Sequence, residues 1–386
     1  MLIFVIPSSY PNPDNPVANS FIKEQVAAIA KKNSDIVVLN VRKQPMSRFF
    51  KKVDGKIHFE NDGCSDIVSK KQKTFFERFF PSLNQKMFER SMKAVYDAAV
   101  KKYGKPDLIY AHFYSASSAA AKIVKKDNIP IVSLEHSGDI MSDSMPCHYR
   151  RKLKHAVEKS SKYIATTPAL KENIVKHTGT KKELEIIPNI IDDSFTYYPR
   201  TNKEKFVFFS VSRFTYDKRL DLLVESFADA FSPEEAVELC IGGGGKEFDA
   251  IKRRISELGR EKQIILLGML DRHEVLDHMI NCDVFVLPSR HETFGLVWRE
   301  AMCVGRPVIT TNHGGFGGDW SNEYGMMIPI DDKDALSTAM IKIRQEYDSY
   351  QNEVISKNNR DMYSSDKISE KLLMIFNEIT NHGGNQ

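Results

Sequence analysis

Two glutamates, Glu292 and Glu300, stand eight residues apart on either side of a glycine that precedes a predicted helix. The apolar run 284–287 predicts a buried strand, a short loop follows it, and the helix begins near Gly295. A glycine lets a ligand approach the backbone closely, and the first amides of a helix suit a phosphate. Two carboxylates that can bind hydroxyl groups, placed around one anion site, predict that the ligand is a nucleotide sugar. The alternative is an acidic, solvated helix face.

Two cations, Arg213 and Lys218, follow the apolar run 206–211, which predicts another strand. A reaction in which a diphosphate departs needs cations, because the leaving group gains negative charge as its bond breaks. A guanidinium can hold two phosphate oxygens, and an ammonium acts as a point charge. The pair therefore suits a diphosphate, and the alternative is a cluster of surface charges.

Segment 283–315 resembles the signature of the family 4 retaining glycosyltransferases, which have the GT-B fold. The resemblance rests on two glutamates separated by seven residues, on a Phe-Gly helix start, and on the Ala-Met-x-x-Gly-x-Pro-Val tail from Ala301 to Val308. It implies that Glu292 contacts hydroxyls of the transferred sugar, Glu300 the ribose hydroxyls, and Arg213 and Lys218 the diphosphate. The donor-site residues at the helix start are Phe294, Gly295, Leu296 and Val297, of which the last three would hold the distal phosphate through their amides.

Two further strand exits in this half match the family. The glycine-rich turn 242–245 matches neither phosphate-loop spacing nor the dinucleotide fingerprint. The resemblance implies that Gly243 lines the donor site, although a plain tight turn explains it as well. Met269 lies in the stretch whose backbone would face the nucleobase.

In the first half of the chain, His136 follows a predicted strand and matches the family's strand-end histidine. The resemblance implies that it orients the primary hydroxyl of the sugar and helps to stabilise the transition state. A purely structural histidine is the alternative, and His112 is a second candidate. Many relatives have paired glycines in their N-terminal loop, but this chain has no glycine before Gly55. Asn19 and Ser20 at a helix start are therefore the candidate donor contacts there.

Two other positions depart from the family pattern. Arg219 stands where a glycine usually follows the lysine, and the stretch 316–319 replaces the usual small residue and glutamate. The N-terminal loop itself resembles that of a subgroup common among surface-polysaccharide enzymes.

Apolar runs of strand length alternate with amphipathic stretches, which predicts parallel sheets with crossover helices. The fold class is α/β; with the resemblance, it is GT-B, two facing Rossmann-like domains with a central cleft. We expect an acceptor-binding domain at 1–198, a donor-binding domain at 204–360, and a C-terminal helix within 362–386 that packs back on the first. Strands are expected at 2–6, 35–41, 107–112, 130–135, 162–166, 184–188, 206–211, 237–241, 263–267, 284–287, 307–310 and 326–330.

No cofactor and no metal are expected beyond the nucleotide-sugar substrate. Asp332 and Asp334 have the Asp-x-Asp form of some metal–diphosphate sites, but they are better placed to cap a helix. The five cysteines are scattered without metal-type pairing, and the mean hydropathy is −0.38. These features favour a cytoplasmic location.

The region from Arg42 to Lys105 holds sixteen lysines and arginines against seven aspartates and glutamates. Aromatic residues are interleaved with these cations in 48–52 and 70–80, which suits peripheral docking on the anionic inner face of a cell membrane. The alternative is that the phenylalanines pack inward and the lysines are merely solvated. No nucleic-acid-binding motif accompanies the charge, so no nucleic acid is expected.

The expected reaction is metal-independent transfer of a sugar, with retention, from a nucleoside-diphosphate sugar to a saccharide hydroxyl. UDP is the favoured nucleotide and GDP the next, and the favoured acceptor is a lipid-linked saccharide of cell-surface polysaccharide assembly. The alternatives are a nucleotide-sugar epimerase of the same fold and a catalytically silent nucleotide-sugar-binding scaffold. A nicotinamide dehydrogenase lacks support, because the glycine fingerprint is missing.

Overall fold

The computed structural model describes residues 1–12, 19–32, 35–45, 54–74, 81–201, 203–316 and 318–382. The chain divides into two compact units, Met1–Ile190 with Ser365–Gln386, and Ile191–Ser364. The division falls at Ile191, a few residues before the expected end of the first domain at 198.

The first unit alternates strands and helices along the chain. Its elements are β1 (Leu2–Ile6), α1 (Ser20–Ala30), β2 (Asp35–Pro45), β3 (Ile57–Asn61), β4 (Asp66–Thr74), α2 (Pro81–Tyr103), β5 (Leu108–His112), α3 (Tyr114–Ile123), β6 (Ile131–Glu135), α4 (Cys147–Lys159), β7 (Lys162–Ala165), α5 (Pro168–Thr178) and β8 (Glu185–Ile186). The sheet order is β3-β4-β2-β1-β5-β6-β7-β8, and β3, which pairs antiparallel with β4, is the exception to parallel pairing.

Strand β1 shows why the sheet strands are continuously apolar. Ile3 and Val5 pack in the core on one face of the sheet, while Phe4 and Ile6 pack in the core on the other. Helices cover both faces of a parallel sheet, so alternation with polar residues is lost.

The β3–β4 hairpin was not expected from the sequence. The proposed membrane-docking stretch 70–80 includes three lysines that the structure places in β4: Lys70, Lys71 and Lys73. Strand β4 pairs with β2 over nine positions. The predicted membrane-docking stretches 48–52 and 75–80 lie outside the described residues.

The second unit repeats the alternation. Its elements are β9 (Phe206–Val211), α6 (Leu220–Ala230), β10 (Val237–Gly242), α7 (Phe248–Glu257), β11 (Ile264–Gly268), α8 (Arg272–Asn281), β12 (Val284–Leu287), α9 (Leu296–Val304), β13 (Val308–Thr311), β14 (Gly325–Ile328), α10 (Lys333–Gln345) and α11 (Asn352–Tyr363). The six strands are all parallel in the order β11-β10-β9-β12-β13-β14. Each strand expected from an apolar run is present in the two sheets.

The last helix, α12 (Ser365–His382), belongs to the first unit. Ile368, Leu372 and Phe376 are buried in that unit's core, and the Phe376 ring lies 5.0 Å from that of Tyr110. Within the described part of the chain, no helix has the length and apolar character needed to cross a bilayer.

Candidate functional site

The donor residues predicted in the second half of the chain lie at one edge of the second sheet. The loops after β9, β10, β11 and β12, and the helix α9 that follows β12, carry them. All four strands run parallel, so their carboxyl ends share that edge. The chain order reverses between the neighbouring strands β9 and β12, and ligands of open α/β sheets bind at such a switch point.

Lys218 and Glu292 form an ion pair between two of these loops. Lys218 ends a short 3₁₀ turn, Tyr216–Lys218, after β9, whereas Glu292 lies between β12 and α9. Their side chains are only 16% and 17% exposed, and the Ser289 hydroxyl lies 3.4 Å from Glu292 Oε1. The arrangement places one cation next to one carboxylate. A nucleotide-sugar donor needs both, because its phosphates bind a cation and its hydroxyl groups bind a carboxylate.

Arg213 is exposed at the exit of β9. Across the described ranges, no carboxylate forms an ion pair with its guanidinium, in contrast to Lys218. An exposed guanidinium near the switch point can hold phosphate oxygens in a bidentate manner.

The start of α9 requires glycine at position 295. Gly295 has φ 69°, and a Cβ there would lie 2.0 Å from Cε3 of the buried Trp298. The helix begins with the half-buried Leu296 and Val297, and the first amides of a helix have no partner within it. The Phe294 ring is buried 5.6 Å from the ring of Tyr363, so its side chain packs inward.

Glu300 is 1% exposed on α9, and its two carboxylate oxygens differ. Oε1 accepts a hydrogen bond of 2.6 Å from Arg272 Nη1, while Oε2 has no hydrogen-bond partner among the described residues. Arg272 also stacks on the ring of Phe195 at 4.5 Å. A buried carboxylate oxygen without a partner costs free energy, and a hydroxyl group of a ligand would satisfy it.

The glycine turn after β10 is tightly packed. Gly243 has φ 118°, a Cβ there would meet Ser212 O at 1.9 Å, and its amide donates to Gly268 O at 2.6 Å. Close packing of three strand exits therefore accounts for this glycine. Met269 is 69% exposed beside the turn.

Two histidines form a buried pair in the first unit. His112 Nδ1 and His136 Nε2 are 3.2 Å apart, and the rings stack nearly parallel. His136 also contacts the rings of Phe21 and Phe113, at 4.8 and 5.1 Å. Burial lowers the pKa of His136 to about 3, and burial with the neighbouring His136 lowers the pKa of His112 well below its ordinary value. Both imidazoles are therefore neutral near pH 7.

Asn19 begins α1 with φ 49°, but its side chain does not cap the helix. Its Nδ2 donates to Ser9 Oγ at 2.8 Å instead. The side chain thus joins the β1 exit to the helix.

Glu135, which residue types and spacing did not indicate, is fully buried at the end of β6. It accepts hydrogen bonds from the Ser137 hydroxyl at 2.6 Å and the Tyr163 hydroxyl at 2.5 Å, and from the His136 amide at 3.0 Å. Burial raises the pKa of its carboxyl, and these hydrogen bonds oppose the shift. Glu135 therefore fixes the loop that carries His136.

A second missed group surrounds Arg219. This residue has φ 52°, and its guanidinium pairs with Asp221 and Asp331. Arg290 also pairs with Asp331, at 2.7 Å. The left-handed backbone explains why glycine suits this position, and the departure from the family pattern was the signal that could have identified the network.

The Asp332 carboxylate accepts from the Ala335 amide at 2.9 Å and caps α10, as predicted. In the ranges that the structure covers, no group of three or more His, Cys, Asp or Glu side chains is arranged to hold a metal ion.

Two family models together span most of the chain. The one described as Glycosyltransferase Family 4 matches residues 18–195, and the one described as Glycosyl transferases group 1 matches residues 198–362. The division between them falls close to the division between the two structural units.

Two relatives illustrate the sequence similarity. Mannosylfructose-phosphate synthase of Agrobacterium fabrum is 26% identical over 61% of this chain and 60% of its own length. The putative teichuronic acid biosynthesis glycosyltransferase TuaC of Bacillus subtilis is 25% identical over 90% of each chain. The match to the first thus spans less than two thirds of that protein.

Solved structures of similar proteins show the same fold. Sucrose-phosphate synthase from Thermosynechococcus elongatus superposes with a TM-score of 0.80, 20% identity and 99% of each chain covered. HepE from Anabaena, solved in complex with UDP, superposes with a TM-score of 0.72, 18% identity, and coverage of 98% of this chain and 100% of the other. The predicted GT-B fold is confirmed, and the chain belongs to family 4 of the glycosyltransferases.

Proposed function

We propose that this glycosyltransferase moves a sugar from a nucleoside-diphosphate sugar to a saccharide hydroxyl, with retention of anomeric configuration and without a metal ion. The observation that carries the proposal is Glu300, whose buried Oε2 has no partner among the described residues. It shares one sheet edge with the Lys218–Glu292 pair and the glycine-started helix α9. A ribose, a sugar and a diphosphate need these three features together.

UDP is the nucleotide we favour, with GDP the second candidate. Structures of HepE in complex with UDP and with UDP-glucose, on the same fold, support that order. The Glu300 carboxylate would accept from the ribose hydroxyls, and the region around Met269 would face the base. Neither contact requires a metal ion.

The leaving group would be stabilised by cations and amides. As the bond between the anomeric carbon and the phosphate oxygen breaks, Arg213, Lys218 and the amides of α9 would take up the growing negative charge. The acceptor oxygen forms the new bond on the same face, and its proton passes to the departing phosphate oxygen. Front-face substitution of this kind retains configuration without a protein nucleophile.

Glu292 and His136 would act on the sugar. Glu292 would accept from its hydroxyl groups, while its ion pair with Lys218 keeps both side chains in place. His136 has a pKa of about 3 because it is buried, so it would work as a neutral hydrogen-bonding group rather than as an acid.

The acceptor we favour is a lipid-linked saccharide, and the process is cell-surface polysaccharide synthesis on the cytoplasmic side of the membrane. The similarity to TuaC, a putative teichuronic acid biosynthesis glycosyltransferase, extends over 90% of both chains and supports this proposal. The excess of basic residues between Arg42 and Lys105 supports peripheral contact with an anionic membrane surface.

Calorimetric binding of UDP, GDP, ADP and dTDP in the presence of EDTA tests the donor site. Tight binding of UDP without metal is expected, and binding of none of the four would overturn the proposal. With UDP-sugars and saccharide acceptors, the anomeric configuration of the product is then read by NMR. An inverted product contradicts retention, UDP release without transfer favours an epimerase, and binding without turnover favours a silent scaffold.

A further inference from the structure

His313 lies two residues after β13, at the sheet edge that carries the donor residues, and it has no role in the donor site as described above. Strand β13 pairs in parallel with β12, so the loop of His313 lies beside the loop of Glu292. The backbone shows how close the two loops are. A Cβ on Gly315 would lie 2.6 Å from His313 Cε1 and 3.0 Å from Glu292 O. His313 is therefore a neighbour of the carboxylate that we assign to the sugar.

Trp298 fixes the plane of the imidazole ring. The two rings are nearly parallel, with 14° between their planes and 4.7 Å between their centres. Trp298 is fully buried, and its Cε3 would lie 2.0 Å from a Cβ on Gly295. Since Gly295 precedes the first amides of α9, which suit a phosphate, the stack also places His313 near that helix start.

One ring nitrogen of His313 has a partner that determines the tautomer. Nδ1 accepts a hydrogen bond of 2.9 Å from the Gly315 amide, and Gly315 O accepts from Arg299 Nη2 at 3.3 Å. Burial lowers the pKa of His313 to about 4, although the nearby Glu292 opposes this shift. The ring is therefore neutral near pH 7. Because Nδ1 is an acceptor, the single ring proton lies on Nε2.

The second ring nitrogen, Nε2, is buried and has no hydrogen-bond partner among the described residues. A buried N–H donor without an acceptor costs free energy, and a ligand oxygen would satisfy it. The neighbouring Glu292 carboxylate only accepts hydrogen bonds. A sugar hydroxyl suits both groups, because it can donate to the carboxylate and accept from the N–H. A phosphate oxygen only accepts, so it suits His313 but not Glu292.

We propose that His313 is a further donor-binding residue, and that its Nε2 donates a hydrogen bond to a hydroxyl group of the transferred sugar. The assignment rests on the proposed function, because it places the sugar of a nucleotide sugar beside Glu292. His313 then contributes to the affinity for the sugar and not to the affinity for the nucleotide.

Two substitutions separate this role from a purely structural one. Asparagine at position 313 keeps a side-chain acceptor within reach of the Gly315 amide, but it has no atom at the position of Nε2. Glutamine carries an amide N–H at the position of Nε2, but it has no acceptor at that of Nδ1. Both remove the ring that stacks on Trp298, so the two variants share that loss.

Calorimetry on the full chain compares UDP with UDP-glucose, UDP-galactose and UDP-N-acetylglucosamine. The UDP-sugar that the wild type binds most tightly is then used on the variants. His313→Asn should weaken its binding about fivefold, the loss of one neutral hydrogen bond, and should leave UDP affinity within about twofold. His313→Gln should restore most of the affinity for the UDP-sugar. His273→Asn, at an exposed position on α8, should match the wild type for both ligands.

The inference is overturned if the glutamine variant binds the UDP-sugar no more tightly than the asparagine variant does, because His313 then has a structural role. It is also overturned if His313→Asn weakens UDP as much as the UDP-sugar, because Nε2 then binds a phosphate. Both results leave wild-type binding, and with it the proposed function, intact. If the wild type binds UDP but none of the UDP-sugars, the role of His313 is wrong. If it binds no nucleotide at all, the proposed function itself falls.

A measurement on the wild type needs no folded variant. In NMR spectra of protein with isotope-labelled histidine, the Nε2–H signal of His313 is identified by its proximity to the Trp298 ring. This signal should move when the UDP-sugar binds and should move much less when UDP binds. An equal response to the two ligands, or no response to the UDP-sugar, overturns the inference.

Discussion

Lys218 and Glu292 are 74 residues apart in the chain, yet they form one ion pair at the edge of the second sheet. The pair joins the exits of β9 and β12, which are neighbours only because the strand order reverses there. Since the two side chains would contact different parts of the donor, their separate removal should have separate effects.

Lys218→Ala should lower UDP affinity and abolish transfer, because it removes a cation from the diphosphate. Glu292→Ala should abolish transfer while it leaves UDP affinity within about threefold of wild type, since its partner would be the sugar. Calorimetry with UDP and a transfer assay separate the two. Lys262→Ala, an exposed lysine of the same unit, is the control. Full transfer activity in either site variant would contradict the assigned roles.

Glu300 should discriminate ribose from deoxyribose. Its Oε2 would accept from a ribose hydroxyl, so wild-type protein should bind UDP about tenfold more tightly than 2′-deoxy-UDP or 3′-deoxy-UDP. The Glu300→Ala variant should bind UDP and the two deoxy analogues with equal affinity, because the substitution weakens the binding of UDP alone.

Thermal unfolding checks that Glu300→Ala remains folded, because the change also removes the partner of Arg272 Nη1. An unchanged preference for UDP in the folded variant would place the ribose elsewhere.

Gly295→Ala should destabilise the second unit and weaken UDP binding. The new methyl group would lie 2.0 Å from Trp298 Cε3, and the backbone is left-handed with φ 69°. Gly259→Ala is a matched control, since Gly259 has φ 65° but nothing within 4 Å of its Cβ position. Both substitutions add backbone strain of about 1 kcal/mol. In urea unfolding, Gly295→Ala should lower the free energy of unfolding by at least about 1 kcal/mol more than Gly259→Ala does, because its new methyl group overpacks the site. If the two variants lose the same free energy of unfolding, the contact with Trp298 is not the reason for glycine at position 295.

Much of the fold could be predicted because the strands of both sheets are short apolar runs. Strand β4 could not, because Lys70, Lys71 and Lys73 hide its pattern, and its long parallel pairing with β2 is a tertiary contact. Local propensity does not report such contacts.

In the candidate site, too, the sequence indicated residues but not the tertiary contacts between them. Residue types and spacing indicated Glu292 and Glu300, because both lie in one short segment. Their partners Lys218 and Arg272 come from other strand exits, so the pairs depend on the order of strands in the sheet. The position of Phe113, with φ 70° beside the histidine pair, also has no sequence signal, because left-handed backbone is usual only for glycine.

Arg219→Gly should change stability little and keep transfer activity. Glycine removes the backbone strain at φ 52°, about 1 kcal/mol, and the lost ion pairs with Asp221 and Asp331 are worth a similar amount. Arg219→Ala loses the same ion pairs and keeps the strain, so it should be about 1 kcal/mol less stable than the glycine variant in urea unfolding. An alanine variant as stable as the glycine variant would show that the strain is absent.

The histidine pair should make the first unit sensitive to acid. Burial lowers the pKa of His136 to about 3, while the unfolded value is about 6.5. Between those values the unfolded chain binds the proton and the folded protein does not, so folding stability falls as the pH drops through this window. His112 acts in the same direction. Glu135 opposes both, because burial raises the pKa of its carboxyl.

Urea unfolding of wild type and His136→Asn between pH 7 and pH 4.5 measures this effect. The asparagine variant is expected to be less stable at pH 7 but to lose less stability on acidification, by about 1.4 kcal/mol per pH unit below pH 6. His273→Asn, at an exposed position on α8, controls for the loss of an imidazole. If His136→Asn and wild type show the same slope, burial does not lower the pKa of His136, and the predicted acid sensitivity is wrong.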